Sequence, residues 1–348
     1  MAFSAIIKPQ DYFSTKLYDG NGSTNAQTGV GFKPDWTWIK TRSHDGYNHV
    51  AVDVIRGVTK EIRPNTNSAE ITTTNSFTSF DSDGFTLGAD STDNYNKNGN
   101  NYVAWNWKAG GTGSANSDGS VSSTVSANTT SGFSVVKYTN PGSGSPFTVG
   151  HGLGAVPKMI MIKNITGSAQ NWGVYHIGPG FGKYLQLNTT IDEATANLVT
   201  ATSTTTFSTY YDHHTTGVDL IAYCFAEVKG FSKIGSYYGN GNANGPFVYT
   251  GFKPAFVLFK EYTGPGSSNW TIQDDKREGY NPNNSRLFPN DSGAENASSF
   301  RIDMLSNGFK LNNSDSDSNR NGNNFLYLAF AEHPFTANVD GGLPTTAR

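Results

Sequence analysis

Pro157-Lys158-Met159-Ile160-Met161-Ile162-Lys163 is the stretch whose reading decides the fold. Successive side chains of a strand point to opposite faces. Met159 and Met161 therefore share a face with Lys163, while Ile160 and Ile162 occupy the other. Both faces are apolar, so the stretch predicts a central strand covered on two sides. The pattern recurs twice. Pro34 is followed by Asp35-Trp36-Thr37-Trp38-Ile39-Lys40, and Pro254 by Ala255-Phe256-Val257-Leu258-Phe259-Lys260. In all three copies the lysine lies six residues past the proline.

Working outward, the copies share further landmarks in one order, which is the mark of an internal repeat. Upstream of each proline stand Phe13-Ser14, Phe133-Ser134 and Phe231-Ser232, and then a Gly-x-x-Pro at Gly31, Gly154 and Gly251. Glycine permits a left-handed residue and proline fixes φ, so this unit predicts a turn. Downstream come Asn48-His49, Asn171-Trp172 and Asn269-Trp270, each leading to a short alternating stretch that ends on Asp53, His176 or Asp274. Each copy closes on a strongly apolar strand, Tyr102 to Trp107, Leu220 to Phe225 and Phe325 to Phe330. Copies 1 and 3 also share Asp-x-x-Arg (Asp53 to Arg56, Asp274 to Arg277) and Ser-x-Gly-Phe-x-Leu (Ser82 to Leu87, Ser306 to Leu311).

No segment carries a helical period over eleven residues or more. Short strands punctuated by turns predict an all-β chain of three tandem antiparallel β-sandwiches, jelly-roll or lectin-like. The expected boundaries are an N-terminal arm 1–12, repeat 1 at 13–108, a linker 109–130, repeat 2 at 131–229, repeat 3 at 230–335 and a tail 336–348. Residues 109–130 are almost all Gly, Ser, Thr, Ala and Asn, which reads as a flexible linker. Repeats 2 and 3 abut directly and are expected to pack as a rigid pair.

Composition narrows the function classes. The net charge of −3 and the want of a Lys/Arg stripe argue against nucleic acid as a partner. No run of 18 apolar residues calls for a membrane span. The first residues lack the charged start and apolar run of a signal peptide, so synthesis in a cytoplasm without export is expected. Cys224 is the single cysteine and sits inside an apolar strand, which predicts a small core residue rather than a nucleophile.

The search for chemistry returns no catalytic constellation. His213-His214 could bind a metal, but adjacent strand residues face opposite ways, so a polar loop is the reading. Gly150-His151-Gly152-Leu153-Gly154 lacks the Lys-Ser/Thr and helix of a phosphate loop and reads as a turn. Asp315 to Gly322 alternates oxygen side chains like a calcium loop, but its glycine falls late and no glutamate closes it, so a solvated turn is expected. Asp53 and Asp274-Asp275 could serve a glycosidase, yet Arg56 and Arg277 stand at matching offsets as structural partners. No enzyme, metal or cofactor is therefore expected. Lys40, Lys163 and Lys260 read as sharing a structural role, such as pairing with an acid at the sandwich rim, with Glu227 and Glu332 as candidate partners in repeats 2 and 3; repeat 1 has Ala109 at that place, so the pairing is not expected in every repeat, and a ligand role is the alternative. Trp36, Trp38, Trp105 and Trp107 read as core. Tyr210, Tyr211, Tyr237 and Tyr238, read as exposed loop residues, are the candidate ligand contacts.

Several of these stretches are similar to a known family. Thr28 to Lys40, His151 to Lys163 with Asn171 to His176, Gly251 to Pro254 through Asn269-Trp270, and Ala222 to Lys233 resemble an uncharacterised repeat domain of marine and other bacteriophage tail-fibre and virion proteins. The resemblance runs from about Asp11 to Phe335. It implies a virion component with a lectin-like sandwich and brings no catalytic residues. The function it implies is a tail-fibre or surface adhesin contacting the host, with a capsid or tail decoration protein as the alternative. Its expected partners are other virion proteins, a host surface glycan or receptor, and further copies of itself, a trimer being favoured.

Overall fold

The computed structural model describes residues 4, 6–142, 144–210, 216–297 and 301–334. The chain is all-β, and among the described residues helix is confined to one turn at Ser316–Asn319 and a 3-10 turn at Pro9–Asp11. Among the described residues no helix is long and apolar enough to cross a membrane.

The repeated sequence becomes a repeated strand order. In repeat 1 a four-stranded sheet runs Phe13–Asp19, Asn101–Trp107, Trp36–Thr41, Val50–Asp53. Repeat 2 has Phe133–Thr139, Asp219–Ala226, Pro157–Asn164 and Gly173–His176 in the same order, and repeat 3 has Ser232–Tyr238, Asn324–Pro334, Phe252–Glu261 and Thr271–Asp274. A three-stranded sheet accompanies each: Asn25–Thr28, Gly84–Leu87, Phe77–Asp81; then Phe147–Gly150, Thr206–Thr209, Val199–Thr202; then Phe247–Tyr249, Gly308–Leu311, Ile302–Leu305. All of these pairings are antiparallel.

The post-proline and closing strands lie in the middle of each large sheet, as their two apolar faces require. One face packs with the three-stranded sheet of the same repeat. In repeat 1 this joins Ile39, Val50, Val52, Phe77 and Phe85, in repeat 2 Ile160, Ile162, Phe207 and Cys224, and in repeat 3 Val257, Phe259, Phe309 and Tyr327. The opposite faces of all three large sheets meet in one common core. Trp36 lies at its centre, stacked 4.4 Å from Tyr223 of repeat 2 and 4.3 Å from Trp107. Phe13 stacks on Phe330 of repeat 3 at 5.0 Å, and Phe225 meets Phe330 at 6.1 Å, so each repeat touches both others. The four tryptophans read as core are each at most 2 % exposed.

Local turn chemistry explains two further motifs. Gly31, Gly154 and Gly251 all have positive φ, as the Gly-x-x-Pro turn demands. The shared Ser-x-Gly-Phe-x-Leu is a hairpin whose glycine opens the second strand. A Cβ on Gly84 would lie 1.9 Å from the Gln27 carbonyl oxygen, and one on Gly308 2.1 Å from that of Val248. Close backbone approach therefore selects glycine at both places.

One expectation changes, and two features add to the sequence reading. Residues 109–130 are not a free linker: Ser123–Asn128 pairs with Phe133–Thr139, and Ser114–Asn116 pairs with Ser123–Asn128, extending the repeat 2 sheet. Their Ser, Thr and Asn side chains imitate a flexible composition, but Val125 and Ser126 are buried. The arm before residue 13 is also engaged, with Ile6 in the common core and the Gln10 amide donating to the Glu332 carbonyl of repeat 3. Finally, Ser232 pairs with Phe330 where Phe133 pairs with Phe225 and Phe13 with Trp107, so the first strand of repeat 3 is slipped by one residue.

A core shared by three repeats predicts joint unfolding. Denaturant titrations followed by tryptophan fluorescence and by far-ultraviolet circular dichroism are expected to coincide in one transition. Trp36→Ala is expected to cost roughly 3–5 kcal/mol and to shift both probes together. Two or three separated transitions would show the repeats to be independent.

Candidate functional site

The repeated polar landmarks converge on the joints between repeats, in cyclic order. Asp53 of repeat 1 accepts a 2.7 Å hydrogen bond from the Tyr223 hydroxyl of repeat 2. The matching Asp274 of repeat 3 accepts one of 3.0 Å from Trp105 Nε1 of repeat 1. The matching His176 of repeat 2 sets its Nε2 3.2 Å from the Tyr327 carbonyl of repeat 3. The second carboxylate oxygen of each aspartate accepts from two backbone N–H groups, those of Ile55 and Arg56 or of Lys276 and Arg277. Arg56 and Arg277 pair with their aspartates at 2.6 Å, and both members of each pair are buried. Asp-x-x-Arg is thus a structural clamp: its charges are mutually paired and its remaining polar atoms reach backbone.

The three lysines form a second ring that runs the other way. Lys40 of repeat 1 donates to the Ser292 carbonyl of repeat 3 at 3.2 Å. Lys163 of repeat 2 donates to the Asn67 carbonyl of repeat 1 at 3.1 Å, and also to the Gln170 carbonyl and to Asn164 Oδ1. Lys260 of repeat 3 donates to the Thr190 carbonyl of repeat 2 at 3.2 Å. Trp172 and Trp270 follow the same direction, their Nε1 groups donating to the Arg63 and Gln186 carbonyls. The expected rim pairing with Glu227 and Glu332 is therefore wrong. The lysines are fully buried, while Glu227 pairs with Lys158 and Lys233, and Glu332 with Lys253. Burial pushes the ammonium groups down, to about 8 for Lys40 and Lys260 and about 7 for Lys163.

The other candidates divide. Tyr237 lies in a strand rather than a loop, faces the repeat 3 core at 8 % exposure and donates to the Ser318 carbonyl; the one-residue slip turns it inward. Tyr238 next to it is 59 % exposed. The Tyr210 hydroxyl donates to the Gly144 carbonyl. Tyr211 and His213-His214 lie outside the described residues. In the Asp315 segment, Asp315 caps the short helix through the Asp317 N–H and pairs with Arg286 at 3.1 Å. His151 is buried in its turn and accepts from the Leu153 N–H. Pro34 precedes its central strand, Pro157 opens its own, and Pro254 lies near the start of Phe252–Glu261, where the register with the closing strand is irregular, so all three are framework.

One feature was not singled out from sequence. A cavity of about 550 Å³ opens beside the Asp274 clamp, lined by Asp275, Lys276, Tyr280, Asn283, Lys253 and Glu332 among others. That volume is in the range of small-molecule sites. The Asp275 side chain is 8 % exposed and pairs with Lys276 at 2.8 Å. Burial pushes its carboxyl up to about 7; Lys276 opposes this and the charges of Glu332 and Asp274 add to it. Burial acts on Glu332 in the same sense, but the Lys253 ammonium outweighs it and holds that carboxyl below its ordinary range. Asp275 Oδ1 and Asn283 Oδ1 are buried and have no hydrogen-bond partner among the described residues. Tyr280 is 68 % exposed. The available sequence signal was a contrast: Asp275-Lys276 follows Asp274 where Val54-Ile55 follows Asp53 and Ile177-Gly178 follows His176.

Removing one partner of a buried clamp strands the other charge. Asp53→Ala is expected to destabilise by roughly 3–5 kcal/mol, read as a shift in urea midpoint. A second measurement concerns the lysines. Their folded pKa values lie below the ordinary 10.5. Between the two values the unfolded chain binds more protons, so stability rises with pH, while below about 7 the penalty is fully present. The melting temperature is expected to rise from about pH 7.5 to about pH 9, and the rise to shrink in Lys163→Met. Equal slopes in both proteins would show that Lys163 does not titrate there.

No curated protein matches this chain, and no solved structure does. One family model matches, over residues 8–334, and takes in all three repeats together with the segment between repeats 1 and 2. The chain belongs to that family, the domain of unknown function DUF7483.

Proposed function

We propose that this protein is a non-enzymatic structural component of a bacteriophage particle, acting as a tail-fibre or other surface adhesin that contacts the host. The observation that carries this reading is the resemblance of the three Gly-x-x-Pro-to-Lys units and of Ala222 to Lys233 to repeats of phage virion proteins. The fold suits it. Each repeat, with one large and one small sheet, reads as a lectin-like jelly-roll sandwich, and three of them fuse into one body. Turn-rich antiparallel β-structure with clamped joints serves a protein that must persist outside a cell. The cavity beside Asp274 offers such a body a place for a receptor group.

A second reading is a capsid or tail decoration protein whose contacts are purely structural. Compactness favours it, because the described residues close around one core and extend no shaft. The three repeats also give a single chain an approximate threefold arrangement, which suits a position on a symmetry axis of the particle.

Cryo-electron microscopy of purified particles, with this chain traced in the density, tests both. Density at a tail appendage with repeat 3 facing outward is the expected result. Density across the capsid lattice would replace the adhesin by the decoration reading, and absence from the particle would overturn both.

A further inference from the structure

Four of the chain's six Asn-Gly steps stand in two matching pairs: Asn21-Gly22 with Asn98-Gly99 in repeat 1, and Asn240-Gly241 with Asn321-Gly322 in repeat 3. In each pair one step follows the first strand of the large sheet and the other precedes the closing strand. The turns demand the glycines, whose φ values run from +63° to +84°. The same step is chemically fragile, asparagine being a thermolabile residue. Once it has lost its proton to a base, the glycine nitrogen can attack the asparagine Cγ. The new N–C bond closes a succinimide, the Cγ–Nδ2 bond breaks, and ammonia leaves after taking up a proton. Water then opens either ring carbonyl, leaving aspartate or isoaspartate. All four asparagines are exposed, so base and water have access to them.

The two turns of each pair are interlocked. In repeat 1 the Gly22 N–H donates to the Asn96 carbonyl at 2.8 Å and the Gly99 N–H to the Gly20 carbonyl at 3.2 Å, while the Gly20 N–H donates to the Asn100 carbonyl at 2.8 Å. In repeat 3 the Gly241 N–H donates to the Asn319 carbonyl at 2.8 Å and the Gly322 N–H to the Gly239 carbonyl at 3.0 Å, while the Gly239 N–H donates to the Asn323 carbonyl at 2.9 Å. Each turn thus holds the glycine nitrogen of the other. A fully buried asparagine lies between them, Asn96 or Asn319. Asn96 Nδ2 donates to Asn21 Oδ1 and to the Ser23 and Gly88 carbonyls, and Asn319 Nδ2 to Asn240 Oδ1 and to the Asn242 and Asn313 carbonyls. Their own Oδ1 atoms accept from the Asn21 and Asn240 N–H groups. Repeat 2 makes the same backbone crossing, from the Gly217 N–H to the Asn140 carbonyl and from the Asn140 N–H to the Val218 carbonyl, with Thr216 ahead of the glycine.

We infer that the interlocked turns of repeats 1 and 3 are clasps that suppress deamidation at all four steps. Attack requires the glycine N–H proton to be removed and the asparagine Cγ to swing onto the following nitrogen. Both movements break the clasp, so the reaction waits on its opening, and its rate falls by the fraction of time the clasp is open. Asn21 and Asn240 are held twice, because their Oδ1 atoms are engaged as well. The clasps give the fold chemical endurance beside its conformational stability, and this inference is independent of where the protein sits on a particle.

The experiment is peptide mapping by mass spectrometry on the full chain, kept at mildly alkaline pH in buffer and, in parallel, in urea. Aspartate and isoaspartate are scored at each step over time. Deamidation at Asn21, Asn98, Asn240 and Asn321 is expected to be about tenfold or more slower in buffer than in urea, the scale of a locally protected amide. Asn96→Ala should speed the reaction at Asn21 and Asn98 about fivefold or more, the scale of a lost hydrogen bond, and leave Asn240 and Asn321 as they were. Asn319→Ala should do the reverse. Circular dichroism establishes that each variant is folded. Where a variant does not fold, hydrogen exchange of the unaltered chain decides: slowed exchange at the Gly22, Gly99, Gly241 and Gly322 amides supports the clasps, and exchange at the rate of the unfolded chain overturns them. Equal rates in buffer and urea, or a folded variant that speeds all four steps or none, would also overturn the proposal.

Discussion

Everything in this structure depends on a sheet that is apolar on both faces. A strand such as Lys158 to Ile162 cannot leave either face in water, and its own repeat supplies a cover for one face. The other face, Met159, Met161, Tyr223 and Phe225 in repeat 2, finds its cover in the corresponding faces of the neighbours, built on Trp36, Trp38, Trp105 and Trp107 in repeat 1 and on Phe256, Leu258, Leu328 and Phe330 in repeat 3. Burial of large aromatic surface is the dominant favourable term in such a core. Three sheets that each need a second cover, and that supply it to one another, form a closed set. Separation of any repeat would return two faces to solvent.

A core assembled from three separate sheets brings strand ends and backbone carbonyls into buried joints, and buried polar groups must be satisfied. The two rings of contacts accomplish this. One runs from Asp53 to Tyr223, His176 to Tyr327 and Asp274 to Trp105. The other is carried by Lys40, Lys163 and Lys260 reaching carbonyls of the preceding repeat. A lysine suits the second task because its long stem crosses apolar surface before the ammonium meets oxygen. The same position can tolerate different chemistry in the first ring, since a carboxylate accepts from Tyr223 or Trp105 and an imidazole contacts the Tyr327 carbonyl. What is retained is a polar group at the end of the fourth strand, not its identity.

The strands, their order along the chain, the two-sided burial and the Asp-Arg pairing were legible because each is a local pattern: alternation, turn chemistry, or an offset of three residues. What covers the second face was not legible, since apolarity states a need for cover without naming its source. The lysine partners were missed for the same reason; they lie in loops of another repeat, and nearby glutamates offered a shorter but mistaken answer. The strand Ser123–Asn128 escaped because Ser, Thr and Asn resemble coil when the pairing partner is unseen. Tyr237 was read as an exposed loop residue because the strand that opens with Ser232 was not followed as far as Tyr238; paired with Phe325, Tyr237 faces the repeat 3 core.

The cavity depends on the same framework. Its residues come from positions 253, 275, 276, 280, 283 and 332, too dispersed for any motif. Yet Asp275 and Lys276 follow directly on Asp274, whose carboxylate is held by Arg277, Trp105 and two backbone N–H groups, and Asn283 is tied to the Asp274 carbonyl. The lining of the cavity is thus fixed by the same clamp that joins repeat 3 to repeat 1. The threefold design thereby separates two demands. Positions that face the common core or the joints are constrained in every repeat, whereas positions one step beyond a clamp, apolar in repeats 1 and 2, can change in a single repeat without disturbing the core. Specialisation of one copy is the natural result of a repeat whose stability is shared by three.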